Sequence, residues 1–227
     1  MPDRPSVLLL HGLGRSARSM RRLARYLERH GFAARNAGYT STCHPIEQLV
    51  DEHVRPAVEA FGDAGPVHFV THSLGGILVR AFAERHGLPA PARAVLIAPP
   101  NAGSPIADRL ADRWPFTRFC GPALTDLGTH DASTPSRLGP VGDDLEVGVI
   151  AGDRPIYPWF GPWLGGPHDG LVAIEDTKVE GMNDFATVRA GHAFIMRHPD
   201  VLDLTLRFLR HGRFGGSTEP MRNGAAG

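Results

Sequence analysis

A serine stands between a strand-like run and a helix-like stretch in Thr71-His72-Ser73-Leu74-Gly75-Gly76. Before it, Pro66-Val67-His68-Phe69-Val70 is apolar and strand-like. After it, Ile77, Leu78, Ala81 and Phe82 are spaced for one helix face through Glu84. A strand, a sharp turn with serine at its apex and a helix together lift a serine oxygen off the end of a sheet. A serine hydroxyl is a poor nucleophile until a base takes its proton, and the base needs an acid to orient it. The usual form of such a turn is Gly-x-Ser-x-Gly, and Thr71 takes the first glycine position. Strand and helix pass close together there, and Thr, though short, is β-branched. The plain alternative is a serine in an ordinary turn, capping the helix.

Four histidines lie late in the chain: His168, His192, His198 and His211. His192, in Ala190-Gly191-His192-Ala193-Phe194, falls in a loop between a strand and the closing helix, where a base belongs. His198 precedes Pro199 and reads as structural or capping. His211 ends the closing helix, where partial positive charge suits the dipole. Two acids compete for the third role. Asp153 follows a strand directly, and catalytic groups gather at the carboxyl ends of parallel strands. Asp169 sits in His168-Asp169-Gly170-Leu171-Val172. Either could be a turn aspartate beside a glycine, and position leaves both open. An oxyanion needs two backbone N–H groups. Leu74 offers one at the helix start. Leu13, in His11-Gly12-Leu13-Gly14 after the first strand, offers the other, because glycines let that backbone approach a substrate. A plain glycine turn is the alternative. A phosphate loop would need a Gly-Lys-Ser/Thr that this segment lacks.

Strands and helices that could carry these groups alternate. Strands are expected at Val7-Leu10, Phe32-Tyr39, up to Val70, Ala92-Ala98, Leu145-Ala151 and Phe185-Arg189. Helices are expected from Arg18 to His30, from Pro45 to Phe61 with a kink at Pro56, after Ser73, and from Val201 to Leu209, where Gly212 ends the last. The alternation implies an α/β fold with a mostly parallel sheet and helices on both faces. Two stretches interrupt it. Residues 99–144 are rich in Pro, Gly, Asp and Thr, with weak helical pattern only near Ile106-Trp114, and suit a partial cap. Residues 153–168 hold Tyr157, Trp159 and Trp163 among prolines. Both lie where active-site loops occur. One domain is expected over residues 1–212, followed by a flexible tail at 213–227.

The chain of 227 residues suits one larger domain. Charges balance at 24 against 24, which argues against a general nucleic-acid binder. No apolar run reaches the eighteen or so residues of a membrane-spanning helix. Val7-Leu10 is too short for a signal-peptide core, so a cytoplasmic location is expected. Cys43 and Cys120 lack metal-ligand spacing and read as unlinked. No metal and no cofactor are expected.

Leu10-His11-Gly12-Leu13-Gly14, the Ser73 turn, Asp169-Gly170-Leu171-Val172 and Gly191-His192 resemble the bacterial lipase and esterase branch of the α/β-hydrolase family. Ala98-Pro99-Pro100-Asn101-Ala102-Gly103-Ser104 resembles it too. The resemblance spans Val7 to Leu209. In that family the order is serine, acid, histidine. It implies Ser73, Asp169 and His192 as a triad, with an oxyanion loop at His11-Gly12-Leu13. It further implies a serine carboxylic-ester hydrolase acting on small-molecule esters through an acyl-enzyme. The aromatic stretch with Tyr157, Trp159 and Trp163 would border its mouth and offer an apolar contact surface. Residues 99–144 lack the long amphipathic helix of an interfacial lid, so short to medium acyl chains are expected. Trp159 and Trp163 as core residues are the alternative. Two further readings stand beside it. One is a non-catalytic binding protein on the same fold. The other is a thioesterase or acyltransferase, for which Arg15, Arg18, Arg21, Arg22, Arg25 and Arg29 could recruit a phosphate. A solvated helix face is the simpler explanation of those arginines.

Overall fold

The computed structural model describes residues 4–62, 65–88, 90–111, 113–155 and 158–215. Six strands form one sheet: β1 Ser6–Leu10, β2 Ala33–Asn36, β3 Val67–His72, β4 Ala92–Ile97, β5 Leu145–Gly152 and β6 Asp184–Val188. Their order is β2-β1-β3-β4-β5-β6, and every pairing is parallel. The central strands are near-continuous apolar runs because both faces are covered. Successive side chains alternate between two cores. Leu8, Leu10, Phe69, Leu96, Val147 and Val149 point into one. Val7, Leu9, Val70, Val95, Ile97 and Ile150 point into the other.

Helix Leu74–His86 covers the first face, together with the consecutive segments Ile46–Leu49, Val50–Val54 and Arg55–Glu59. Helices Arg21–Arg29 and Pro199–His211 cover the second. The expected kink at Pro56 takes a particular form. Residues Val50–Val54 adopt the wider i→i+5 turn just before the proline. A proline in a helix lacks an N–H and crowds the carbonyl four residues back, and widening the turn relieves both.

Residues 99–144 hold more helix than expected. Pro105–Ala111, Trp114–Cys120, Pro122–Asp126 and Thr134–Arg137 are all helical. Pro105, Pro115, Pro122 and Pro135, which read as loop composition, sit in first turns, where a missing N–H costs nothing. Arg213 and Phe214, placed in the expected tail, pack on the domain. Phe214 is buried, its ring 5.1 Å from that of Phe208, and its N–H donates to Asp184 Oδ2 at 2.7 Å. Residues 216–227 lie outside the described residues, as does Tyr157. Cys43 and Cys120 are free thiols.

From β1 the chain steps outward to β2, then returns past β1 to β3 and continues the other way. The carboxyl ends of β1 and β3 therefore meet at a topological switch point, where a crevice opens in sheets of this kind. The loop at His11 leaves β1 there, and Ser73 leaves β3.

Candidate active site

Ser73 holds φ 53° and ψ −122°, a conformation that L side chains rarely adopt. Among the described residues, Ala98 is the only other non-glycine with positive φ. The turn is this tight because the helix starts against the end of β1. A methyl group on Gly75 would lie 2.7 Å from the Leu10 carbonyl oxygen, so only glycine fits. Thr71, where glycine is usual, is an ordinary buried strand residue facing Leu10 and Leu96. Its neighbour across the turn supplies the space instead. A methyl group on Gly76 would sit 3.4 Å from Thr71 Oγ1 and 2.9 Å from Pro99 Cβ.

His192 reaches the serine from the loop after β6. Its Nε2 lies 3.1 Å from Ser73 Oγ, and its Nδ1 lies 2.7 Å from Asp169 Oδ2. Asp169 is buried between β5 and β6 and is held by backbone donors. Its Oδ1 accepts from Leu171 N–H at 3.0 Å and Val172 N–H at 2.9 Å, while its own carbonyl accepts from His192 N–H at 3.0 Å. Gly152, at the end of β5, makes room for it: a methyl group there would lie 2.8 Å from Asp169 Cβ. Asp153 is exposed, and its N–H serves the Val188 carbonyl. The structure thus brings Ser73, His192 and Asp169 into one hydrogen-bonded chain and leaves Asp153 outside it. Such a chain can draw the hydroxyl proton toward Nε2 while the carboxylate fixes the tautomer.

The loop after β1 lies against the serine. A methyl group on Gly12 would sit 3.1 Å from Ser73 Cβ. Gly14 N–H donates to Ser41 Oγ and Arg15 N–H to the Gly12 carbonyl, which shape the loop around Leu13. Leu74 is the first residue of its helix. Of the aromatic residues, Trp159 is 64% exposed. Trp163 is half-buried against the core, with Arg109 5.1 Å from its ring centroid. Arg21, Arg22, Arg25 and Arg29 line the solvent side of their helix.

His11, Tyr39, His72 and Arg15 take parts here that the sequence did not announce. His11 stacks on Tyr39 with centroids 4.0 Å apart, and the Tyr39 hydroxyl donates to the His11 carbonyl. His72 is buried beside His192, and Arg15 reaches the Ala193 carbonyl. Adjacency to Ser73 and to the Gly12 loop was the available signal for His72 and Arg15.

Burial pushes the His72 imidazolium well below its ordinary 6.5 and lowers His11 as well. Unfolding frees both to take protons, so below pH 6.5 the unfolded chain binds more of them. Stability is therefore full above that pH and falls as pH drops toward the folded-state values, by up to about 1.4 kcal/mol per pH unit for each such group. We expect the melting temperature to decline on acidification below pH 6.5 and to decline less steeply in His72→Gln. An unchanged slope in that variant would contradict the assignment.

A model of the α/β hydrolase family matches residues 7–203, and the chain belongs to that family. Among solved structures, the chain is similar to the mature lipase BlEst2 of Bacillus licheniformis, with TM-score 0.69, 19% identity, and 93% of each chain covered. It is also similar to the metagenomic carboxyl esterase MGS0156, with TM-score 0.64, 19% identity, and 85% of this chain and 65% of that one covered. The phospholipase PlaB of Legionella pneumophila gives TM-score 0.65 at 16% identity, over 83% of this chain and 53% of its own. At these identities the likenesses establish the fold. No functionally curated protein matches the chain. Family and fold together support a hydrolase. Among the described residues, no helix is long and apolar enough to cross a membrane.

Proposed function

We propose that the protein is a serine carboxylic-ester hydrolase. One observation carries the reading: Ser73 Oγ, His192 and Asp169 are linked at 3.1 and 2.7 Å, with the serine on a turn of positive φ. Ser73 attacks the acyl carbonyl, and His192 Nε2 takes its proton. Asp169 keeps the other imidazole proton on Nδ1 and favours the imidazolium. The N–H groups of Leu13 and Leu74 receive the developing oxyanion. His192 then protonates the departing alcohol. Water, activated by the same base, releases the acid from the acyl-enzyme.

Acyl chains of short to medium length suit this site. Residues 99–144 form a partial cap of short helices, none long enough to seal a groove. Trp159 is the better candidate for substrate contact, and Trp163 is mainly a packing residue. One observation favours a second reading, a lipase that works on aggregated lipid. Trp114 and Phe119, on the cap helix Trp114–Cys120, are 76% and 77% exposed, an apolar display that soluble surfaces seldom carry. A series of p-nitrophenyl esters of rising chain length, with a long-chain triglyceride emulsion alongside, separates them. We expect kcat/KM to peak between butyrate and octanoate. A sharp rise in rate at the oil–water interface would overturn the first reading in favour of the second.

A further inference from the structure

We infer that His72 and Arg15 are positioning residues that pin the turn carrying His192. The inference rests on the ester-hydrolase reading and concerns how its base is held.

His192 must point one ring nitrogen at Ser73 and the other at Asp169. That requires its backbone to be fixed as well as its ring. Two successive carbonyls of its turn are held by side-chain donors. His72 Nε2 lies 3.0 Å from the His192 carbonyl oxygen, and an Arg15 guanidinium nitrogen donates to the Ala193 carbonyl. The Arg15 guanidinium also lies 5.7 Å from the Phe194 ring centroid. With His192 N–H on the Asp169 carbonyl and Phe194 N–H on the Gly191 carbonyl, the turn is tied at both edges.

The origin of the two donors matters. His72 is the last residue of β3 and immediately precedes Ser73. Arg15 belongs to the loop after β1 that carries Leu13. The elements that place the nucleophile and the oxyanion donors therefore also hold the base. A shift of either loop would move all three groups together, which keeps the reacting atoms in register.

The bond defines the protonation of His72. A carbonyl only accepts, so the proton resides on Nε2 and Nδ1 is bare. Nδ1 is buried, and no hydrogen-bond partner for it exists among the described residues. The charged or titratable groups facing this ring are His192, Arg15 and His11, and positive charge on any of them opposes a second proton on His72. A neutral His72 suits the chemistry. Its ring centroid lies 4.8 Å from that of His192, where a second cation would oppose the imidazolium that forms during reaction.

Turnover of p-nitrophenyl butyrate by the full chain tests the inference. Ser73→Ala serves as the blank, and a melting curve is taken for each variant. His72→Leu keeps an apolar side chain in the buried site and removes the donor. We expect kcat to fall roughly 10- to 100-fold with KM within about twofold of wild type. His72→Gln, whose amide can place an N–H where Nε2 stands, should recover most of that loss. Arg15→Leu should lower kcat in the same way. Wild-type kcat in His72→Leu would overturn the inference. So would a His72→Gln as slow as His72→Leu, with losses that track melting temperature. If the wild type is no faster than Ser73→Ala, the hydrolase reading falls and this inference with it. Brisk Ser73-dependent turnover with no effect at His72 leaves the hydrolase reading standing.

Discussion

Ser73→Ala is expected to abolish ester turnover, with kcat falling on the order of 10⁴-fold or more. The substitution removes the oxygen that stands 3.1 Å from His192 Nε2 and leaves the rest of the site in place. Background water attack at the same oxyanion donors would account for any residue of activity. The melting temperature should change little, because the lost hydroxyl makes one hydrogen bond at the surface of the sheet. Release from the positive φ is no help, since alanine strains at that conformation as serine does. Steady-state kinetics on rigorously purified variant, with a melting curve alongside, check both halves. Substantial remaining turnover would remove Ser73 from the mechanism.

Asp169→Asn is expected to cost roughly 10³- to 10⁴-fold in kcat at nearly unchanged stability. The reason is the arrangement of donors around the carboxylate. Asp169 Oδ1 accepts from the N–H groups of Leu171 and Val172, so an asparagine would keep its carbonyl oxygen there. Its amide would then face His192 Nδ1 as a donor. His192 would be driven to carry its proton on Nε2, pointing an N–H at the serine oxygen it should deprotonate. Asp153→Asn, exposed and outside this hydrogen-bonded chain, should stay within about 0.5 kcal/mol of wild type in stability and retain its activity. Loss of turnover in the Asp153 variant instead would reverse the assignment.

The parts of the fold legible in the sequence are those governed by short-range patterning. The buried runs at Val7-Leu10 and Ala92-Ile97 and the one-face helix containing Leu23 and Leu27 declare themselves because both their periods survive into the structure. Ser73 and His192 were legible as candidates because Ser73 follows β3 directly and His192 lies in the short loop between β6 and the closing helix. Position alone left Asp153 and Asp169 open and only the family resemblance favoured Asp169, because the geometry turns on Gly152 leaving room for Asp169 beside the strand end. The proline-led helices in residues 99–144 were missed for a similar reason. A proline in a first turn and a proline in a loop look alike until the hydrogen bonds that follow are known. His72 escaped notice because its partner is a backbone carbonyl 120 residues away, which no residue type announces. Thr71 looked like a defect in the turn, yet the compensating glycine lies after the serine, at Gly76.

The most direct test of the central claim is covalent. The full chain is incubated with a fluorophosphonate, its intact mass is followed over time, and the modified peptide is sequenced by fragmentation. The account predicts one adduct per chain, on Ser73, with loss of ester turnover in proportion to labelling and with labelling greatly slowed in His192→Ala. Ester turnover that persists with Ser73 fully modified, or an adduct that tracks inactivation at any other residue, would contradict it.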